Sequence, residues 1–189
     1  QWETGVKANA FGGRLSATVS YYDIAVSNVV LETEPNVYVQ DGEQESQGVE
    51  VSVTAAPVEG LDVIAGYSYN ESEITEGQAQ FEGRRPEEAG PQNLVNAWVH
   101  YRVPDGGLEG LGVGIGGNYA GDNKILNRDT GQFTLPSYTV LNASISYDTG
   151  RYRLDLKVDN LTDKTYYKGW TTVNPQAPRS VRANFTYKF

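Results

Sequence analysis

At the carboxyl end of the chain Val181, Ala183, Phe185, Tyr187 and Phe189 alternate without a break with Ser180, Arg182, Asn184, Thr186 and Lys188. A period of two gives a β-strand one apolar and one polar face. The same period recurs upstream. Trp2, Thr4, Val6, Ala8 and Ala10 oppose Glu3, Lys7 and Asn9, and Leu15, Ala17, Val19 and Tyr21 oppose Ser16, Thr18 and Ser20. Val49, Val51 and Val53 open a third strand, and Leu61, Val63, Ala65, Tyr67 and Tyr69 form a fourth. Val95, Ala97, Val99 and Tyr101 face away from Asn96, Trp98 and His100, and Leu111, Val113 and Ile115 alternate with Gly112, Gly114 and Gly116. Leu141, Ala143, Ile145 and Tyr147 make a seventh strand; Tyr152, Leu154, Leu156 and Val158, against Arg153, Asp155, Lys157 and Asp159, make an eighth. The pattern predicts an all-β, antiparallel meander of about nine strands, each pairing with its neighbours. The glycines of the sixth strand predict space on its polar face for something lying against the wall.

The connections predicted between these strands alternate in length. Short ones fall at 12–13, 56–60, 104–110 and 148–150, and long ones, read as loops, at 32–47, 70–92, 120–137 and 161–178. A transmembrane β-barrel has this asymmetry, with short turns at one end and long loops at the other. Aromatic residues gather near strand ends, with Tyr67, Tyr69, Tyr119 and Tyr138 toward one rim and Tyr101, Tyr147, Tyr152, Tyr187 and Phe189 toward the other. Such girdles mark the two interfaces of a membrane. A soluble sandwich shares the alternation, but pure aliphatics on one side and Arg153, Asp155, Lys157 and Asp159 on the other suit a single lipid-facing surface.

Composition narrows the reading. A net charge of −9 over 189 residues argues against nucleic acid as a partner. No run of eighteen apolar residues exists, which excludes a transmembrane helix but not a barrel, whose strands give lipid only every second side chain. The mean hydropathy of −0.49 fits that averaging. Cysteine is absent, so disulfides and thiolate metal sites are excluded. The chain begins with Gln1 and shows no signal peptide, so processing or a longer parent chain is expected.

Three stretches carry a family likeness: L-P-S-Y-T-V-L-N-A-S-I-S-Y at 135–147, V-D-N-L-T-D-K-T-Y-Y at 158–167, and A-P-R-S-V-R-A-N-F-T-Y-K-F at 177–189. In order and spacing they resemble the last strands of TonB-dependent outer-membrane receptors, nearest the siderophore-receptor branch. Residues 3–24 and 60–69 also look like that family's barrel. The resemblance implies a wall of about 22 strands around an N-terminal plug, of which this chain would be the C-terminal part without the plug. It further implies a bacterial outer-membrane location with the C-terminus on the periplasmic side. The implied partners are outer-membrane lipid, the plug and remaining strands, a ferric siderophore, and the energy-coupling TonB protein acting through the N-terminal part. Cobalamin, haem or oligosaccharide import by the same machine stays open, as does a self-contained structural or adhesive barrel.

No nucleophile and base pair, phosphate loop or paired-carboxylate arrangement points to catalysis, and no cofactor is implied. The acidic stretches at 32–45 and 71–88 match no metal-loop spacing and read as solvated surface. Candidate ligand contacts are Arg84, Arg85, Lys168 and Trp170 on the long connections, where a cation and an aromatic suit an anionic, aryl-bearing iron chelate. Trp98 and His100 on the polar face are candidates too, with ordinary packing as the competing reading.

Overall fold

The computed structural model describes every residue except 129 and 130, which lie inside the 120–137 connection. Strands follow in the order β1 (Trp2–Ala10), β2 (Leu15–Glu34), β3 (Val37–Ala55), β4 (Leu61–Glu76), β5 (Asn93–Arg102), β6 (Leu111–Ala120), β7 (Asn123–Arg128), β8 (Gly131–Leu135), β9 (Tyr138–Asp148), β10 (Tyr152–Asp159), β11 (Tyr167–Gly169), β12 (Val173–Pro175) and β13 (Ser180–Tyr187). Nine of them form one antiparallel sheet in the order β1-β2-β3-β4-β5-β6-β9-β10-β13, with no crossover. The expected meander is therefore present.

Its register keeps the two faces chemically separate. One lateral row runs Ala10, Leu15, Ala55, Val63, Val99, Ile115, Ala143, Val158, Val181, crossing all nine strands without a polar side chain. The row beside it on the other face runs Asn9, Ser16, Thr54, Ile64, Trp98, Gly116, Asn142. A one-residue slip in any pair would exchange the faces. No described residue covers the apolar face: Val6 is 72% exposed, Ile115 56% and Phe185 65%. Among the described residues the buried hydrophobic side chains are only Ala120, Ile125, Leu135 and Val140. A sandwich would bury its apolar face between two sheets, so the soluble alternative fails on the location of the core.

The long connections are more ordered than the alternation suggests. β2 and β3 continue well past the apolar band and meet at a turn over Pro35 and Asn36, so most of the 32–47 segment is paired strand rather than loop. Both faces of this extension carry polar side chains, and without a lipid side the period-2 signal disappears. Register irregularities between Val26 and Val29 and between Glu32 and Glu34 blur it further. Likewise β4 runs to Glu76, seven residues into the predicted 70–92 loop. The small hairpins β7–β8 and β11–β12 occupy parts of the 120–137 and 161–178 connections.

The aromatic rims hold, with one correction. Tyr101, Tyr147, Tyr152 and Tyr187 share the apolar face at the short-turn end, and Tyr67, Tyr69 and Tyr119 share it at the other. Tyr138 pairs with Ala120 on the polar face. It lies an odd number of positions from Leu141, and so out of phase with the apolar set.

Candidate functional site

The polar face of the last two wall strands carries an ionic ladder. Arg153 meets Asp155 at 2.7 Å, Lys157 meets Asp159 at 3.0 Å, and Arg182 also reaches Asp159 across the β10–β13 pair. These side chains stay partly solvated, so each pair adds little stability. Their effect is to keep charge on one side of the wall.

Trp98 and His100 sit on the polar face of β5, opposite the glycines of β6. A Cβ on Gly114 would lie 2.6 Å from Trp98 Cζ2, one on Gly116 2.6 Å from Trp98 Cε3, and one on Gly112 2.9 Å from His100 Nε2. The space expected along β6 is real, but the chain's own rings fill it. Both residues are half-buried and lie at wall depth, away from the long connections.

Arg85 is a strut. Its Nε donates to Gly90 O at 2.9 Å, and its Nη1 donates to Asn70 O at 2.9 Å. Its Nη2 donates to Asn70 Oδ1, and Asn70 Nδ2 in turn donates to the Tyr22 hydroxyl at 2.7 Å and Ser46 Oγ at 2.8 Å. The 84–90 segment is thereby fastened to β4 and, through Asn70, to β2 and β3. Burial draws the Arg85 pKa below the ordinary guanidinium value, against the pull of Tyr22, Tyr69 and Glu71. Arg84 stacks over Phe81 at 5.4 Å. The two arginines line a polar recess of about 290 Å³ with Glu71, Glu73 and Lys124.

Lys168 and Trp170 occupy a different place. Asn160, 3% exposed and at φ 53, accepts from Lys164 N at 2.8 Å and donates to Lys164 O at 2.9 Å and Ala177 O at 3.3 Å, closing the base of the 161–178 connection. Its own N–H donates to Asn142 Oδ1 at 2.9 Å, which ties that base to β9. Asp163 Oδ1 accepts from Arg179 N at 2.8 Å and fixes the exit. This positions the Lys168 ammonium 5.7 Å from the Tyr138 ring and 5.9 Å from Tyr166, whose centroids are 4.5 Å apart. Two cavities flank this cluster. One of about 460 Å³ is lined by Asn96, Asn118, Asn142 and Tyr166; the other, of about 490 Å³, by Glu88, Leu94, Asn123 and Trp170. Ala120 and Val140 line the first cavity and Leu135 the second, so three of the four buried hydrophobic side chains among the described residues border this mouth.

The six sequence candidates therefore separate into three groups: Lys168 with Trp170 at the mouth, Arg84 with Arg85 in the neighbouring recess, and Trp98 with His100 down the wall. Tyr138, Tyr166 and Asn160 were missed. The parity of Tyr138 within β9 and the N-L-T-D-K run after β10, with turn-forming Asn160 and Asp163, were the available signals.

Comparison with known proteins agrees with this architecture. Residues 1–161 match the family described as TonB dependent receptor-like, beta-barrel. The ferrioxamine B receptor of Salmonella typhimurium is 35% identical over 172 residues, 88% of this chain and 24% of that receptor. The ferrichrome outer membrane transporter/phage receptor of Escherichia coli K12 is 29% identical over 199 residues, all of this chain and 26% of that protein. The solved siderophore receptor PiuA of Acinetobacter baumannii superposes with a TM-score of 0.85 at 23% identity, over 97% of this chain and 27% of its own. The chain thus spans about a quarter of the length of the curated relatives it matches. The continuous apolar row, the open nine-stranded meander and the family match lead to one assignment: the chain belongs to the TonB-dependent receptor family, as part of the wall of an outer-membrane β-barrel.

Proposed function

We propose that the protein containing this wall imports ferric siderophores by TonB-coupled transport. The observation that carries the reading is the mouth cluster. A lysine held over two tyrosine rings and an exposed tryptophan border cavities of ligand size, in a chain whose relatives include a named ferrioxamine B receptor and a named ferrichrome outer membrane transporter/phage receptor. The Lys168 ammonium can donate hydrogen bonds to the oxygens of an iron chelate, and the ring faces contribute desolvated contact area. In this reading Lys168 and Trp170 touch the ligand and Arg84 supplies positive potential nearby. Arg85 holds the loop, and Trp98 and His100 face the plug. Residues 1–189 form the C-terminal portion of a wall of about 22 strands. The plug and the TonB contact lie elsewhere in the protein, and the C-terminus is at the periplasmic end, which sets the long connections outside.

Uptake of radioactive iron by cells lacking other siderophore receptors tests this, with the iron complexes of ferrioxamine B and ferrichrome as probes. Expression of the full-length protein should restore uptake of at least one, and only when TonB is present. Lys168→Ala and Trp170→Ala should each weaken binding roughly 3- to 30-fold. Uptake that never depends on TonB, or growth without uptake of either complex, contradicts the reading.

A further inference from the structure

The first short turn holds a phenylalanine that neither conformation nor packing accounts for. Phe11 has φ 55, ahead of Gly12 and Gly13 at φ 66 and 88. The other non-glycine residues with positive φ among those described are Asn28, Asn36, Asn160 and Asp163, the types that tolerate the left-handed region. A bulky ring is strained there. Yet Phe11 is 77% exposed, so no buried contact offsets the strain.

The ring borders an apolar groove of about 400 Å³ lined by Phe11, Arg14, Leu15, Ala55 and Pro57. Leu15 and Ala55 are register partners in the apolar row that crosses the wall, so the groove is where the lipid-facing surface reaches the short-turn rim. Arg14 stands at the end of that surface and makes no ion pair among the described residues. An apolar channel ending at a cation, at the depth where the apolar band stops, has the polarity profile of a glycerophospholipid.

We propose that this groove binds an anionic phospholipid, with an acyl segment against Phe11, Leu15, Ala55 and Pro57 and the phosphate at the Arg14 guanidinium. The contact accounts for the phenylalanine: the ring is held out of the turn because its partner is lipid rather than protein. Aromatic side chains at this depth gain from an apolar body beside a polar boundary, and guanidinium matches phosphate in shape and charge.

Native mass spectrometry of the full-length protein in detergent, with dioleoylphosphatidylglycerol or dioleoylphosphatidylcholine added, tests the site. The unaltered protein should retain phosphatidylglycerol in preference to phosphatidylcholine, and Arg14→Gln should abolish that preference. Phe11→Gly should lower retention of both lipids by about fivefold. In lipid-free detergent its unfolding midpoint should be unchanged or higher, because glycine takes positive φ without strain. Unchanged lipid retention in Phe11→Gly overturns the proposal, as does a lowered midpoint in lipid-free detergent, which would make the ring a structural part of the turn. Retention of detergent alone, or a phosphatidylglycerol preference that survives Arg14→Gln, overturns it too.

Discussion

Asn160 decides whether the mouth exists. It sits in the left-handed region, is almost wholly buried, and spends its side chain on Lys164 and Ala177. Asn160→Ala should cost about 1–3 kcal/mol, since buried backbone partners lose their bonds and φ becomes unfavourable. The expected readout is a lower unfolding midpoint together with loss of the Lys168 contact to Tyr138. Gly114→Ala addresses the wall instead: the new methyl would strike the Trp98 ring, so indole emission should shift in a background that keeps Trp98 as the single tryptophan. At the 148–150 turn, the Gly150 N–H donates to Asp148 at 2.8 Å and, with Lys188, Arg102 and Arg153 nearby, holds its carboxyl below the usual carboxylate range. A depressed folded pKa gives stability that is present above the unfolded pKa near 4 and lost as pH falls through the folded value. Stability of the unaltered protein should therefore decline on acidification through that window, and Asp148→Asn should remove this part of the pH dependence.

The strands that touch lipid were legible because one face has a single solvent. In β10 the alternation of Tyr152, Leu154, Leu156 and Val158 with Arg153, Asp155, Lys157 and Asp159 survives intact into the register with β13. Leu156→Arg should cost about 2–4 kcal/mol of folding free energy at the membrane midplane and block assembly, whereas Lys157→Ala should not. Heat-modifiable migration on gels reads both. Above the apolar band the same physics leaves no pattern. β2 and β3 there carry Glu32, Glu34, Asp41, Glu43 and Glu45, wet on both sides, and the paired hairpin passes for loop. The candidate site was legible only in part for the same reason. Lys168 and Trp170 stood out by residue type, but their grouping with Tyr138 and Tyr166, and their separation from Arg84, depend on how connections distant in sequence fold over the rim. Because the β2–β3 extension packs no buried core, replacing residues 28–41 by Asn-Gly should leave wall assembly unchanged while removing the exposed Tyr38.

At the scale of the whole molecule the sheet has two edges, β1 and β13, each with backbone donors and acceptors not bonded within the sheet. Lipid cannot satisfy such groups. The 189-residue chain refolded alone should therefore exchange edge amide hydrogens quickly or associate through its edges, visible by hydrogen exchange and light scattering. The central claim is the separation of faces, and cysteine labelling measures it directly: residues 1–189 hold no cysteine, and any elsewhere in the protein is replaced by serine. Single cysteines at positions 153 to 158 of the full-length protein, labelled with an environment-sensitive fluorophore in bilayers, can be quenched by a lipid-confined or a water-confined nitroxide. Labels at Leu154, Leu156 and Val158 should be quenched from lipid and labels at Arg153, Asp155 and Lys157 from water. Equal quenching along the strand, or the reverse alternation, would contradict the account.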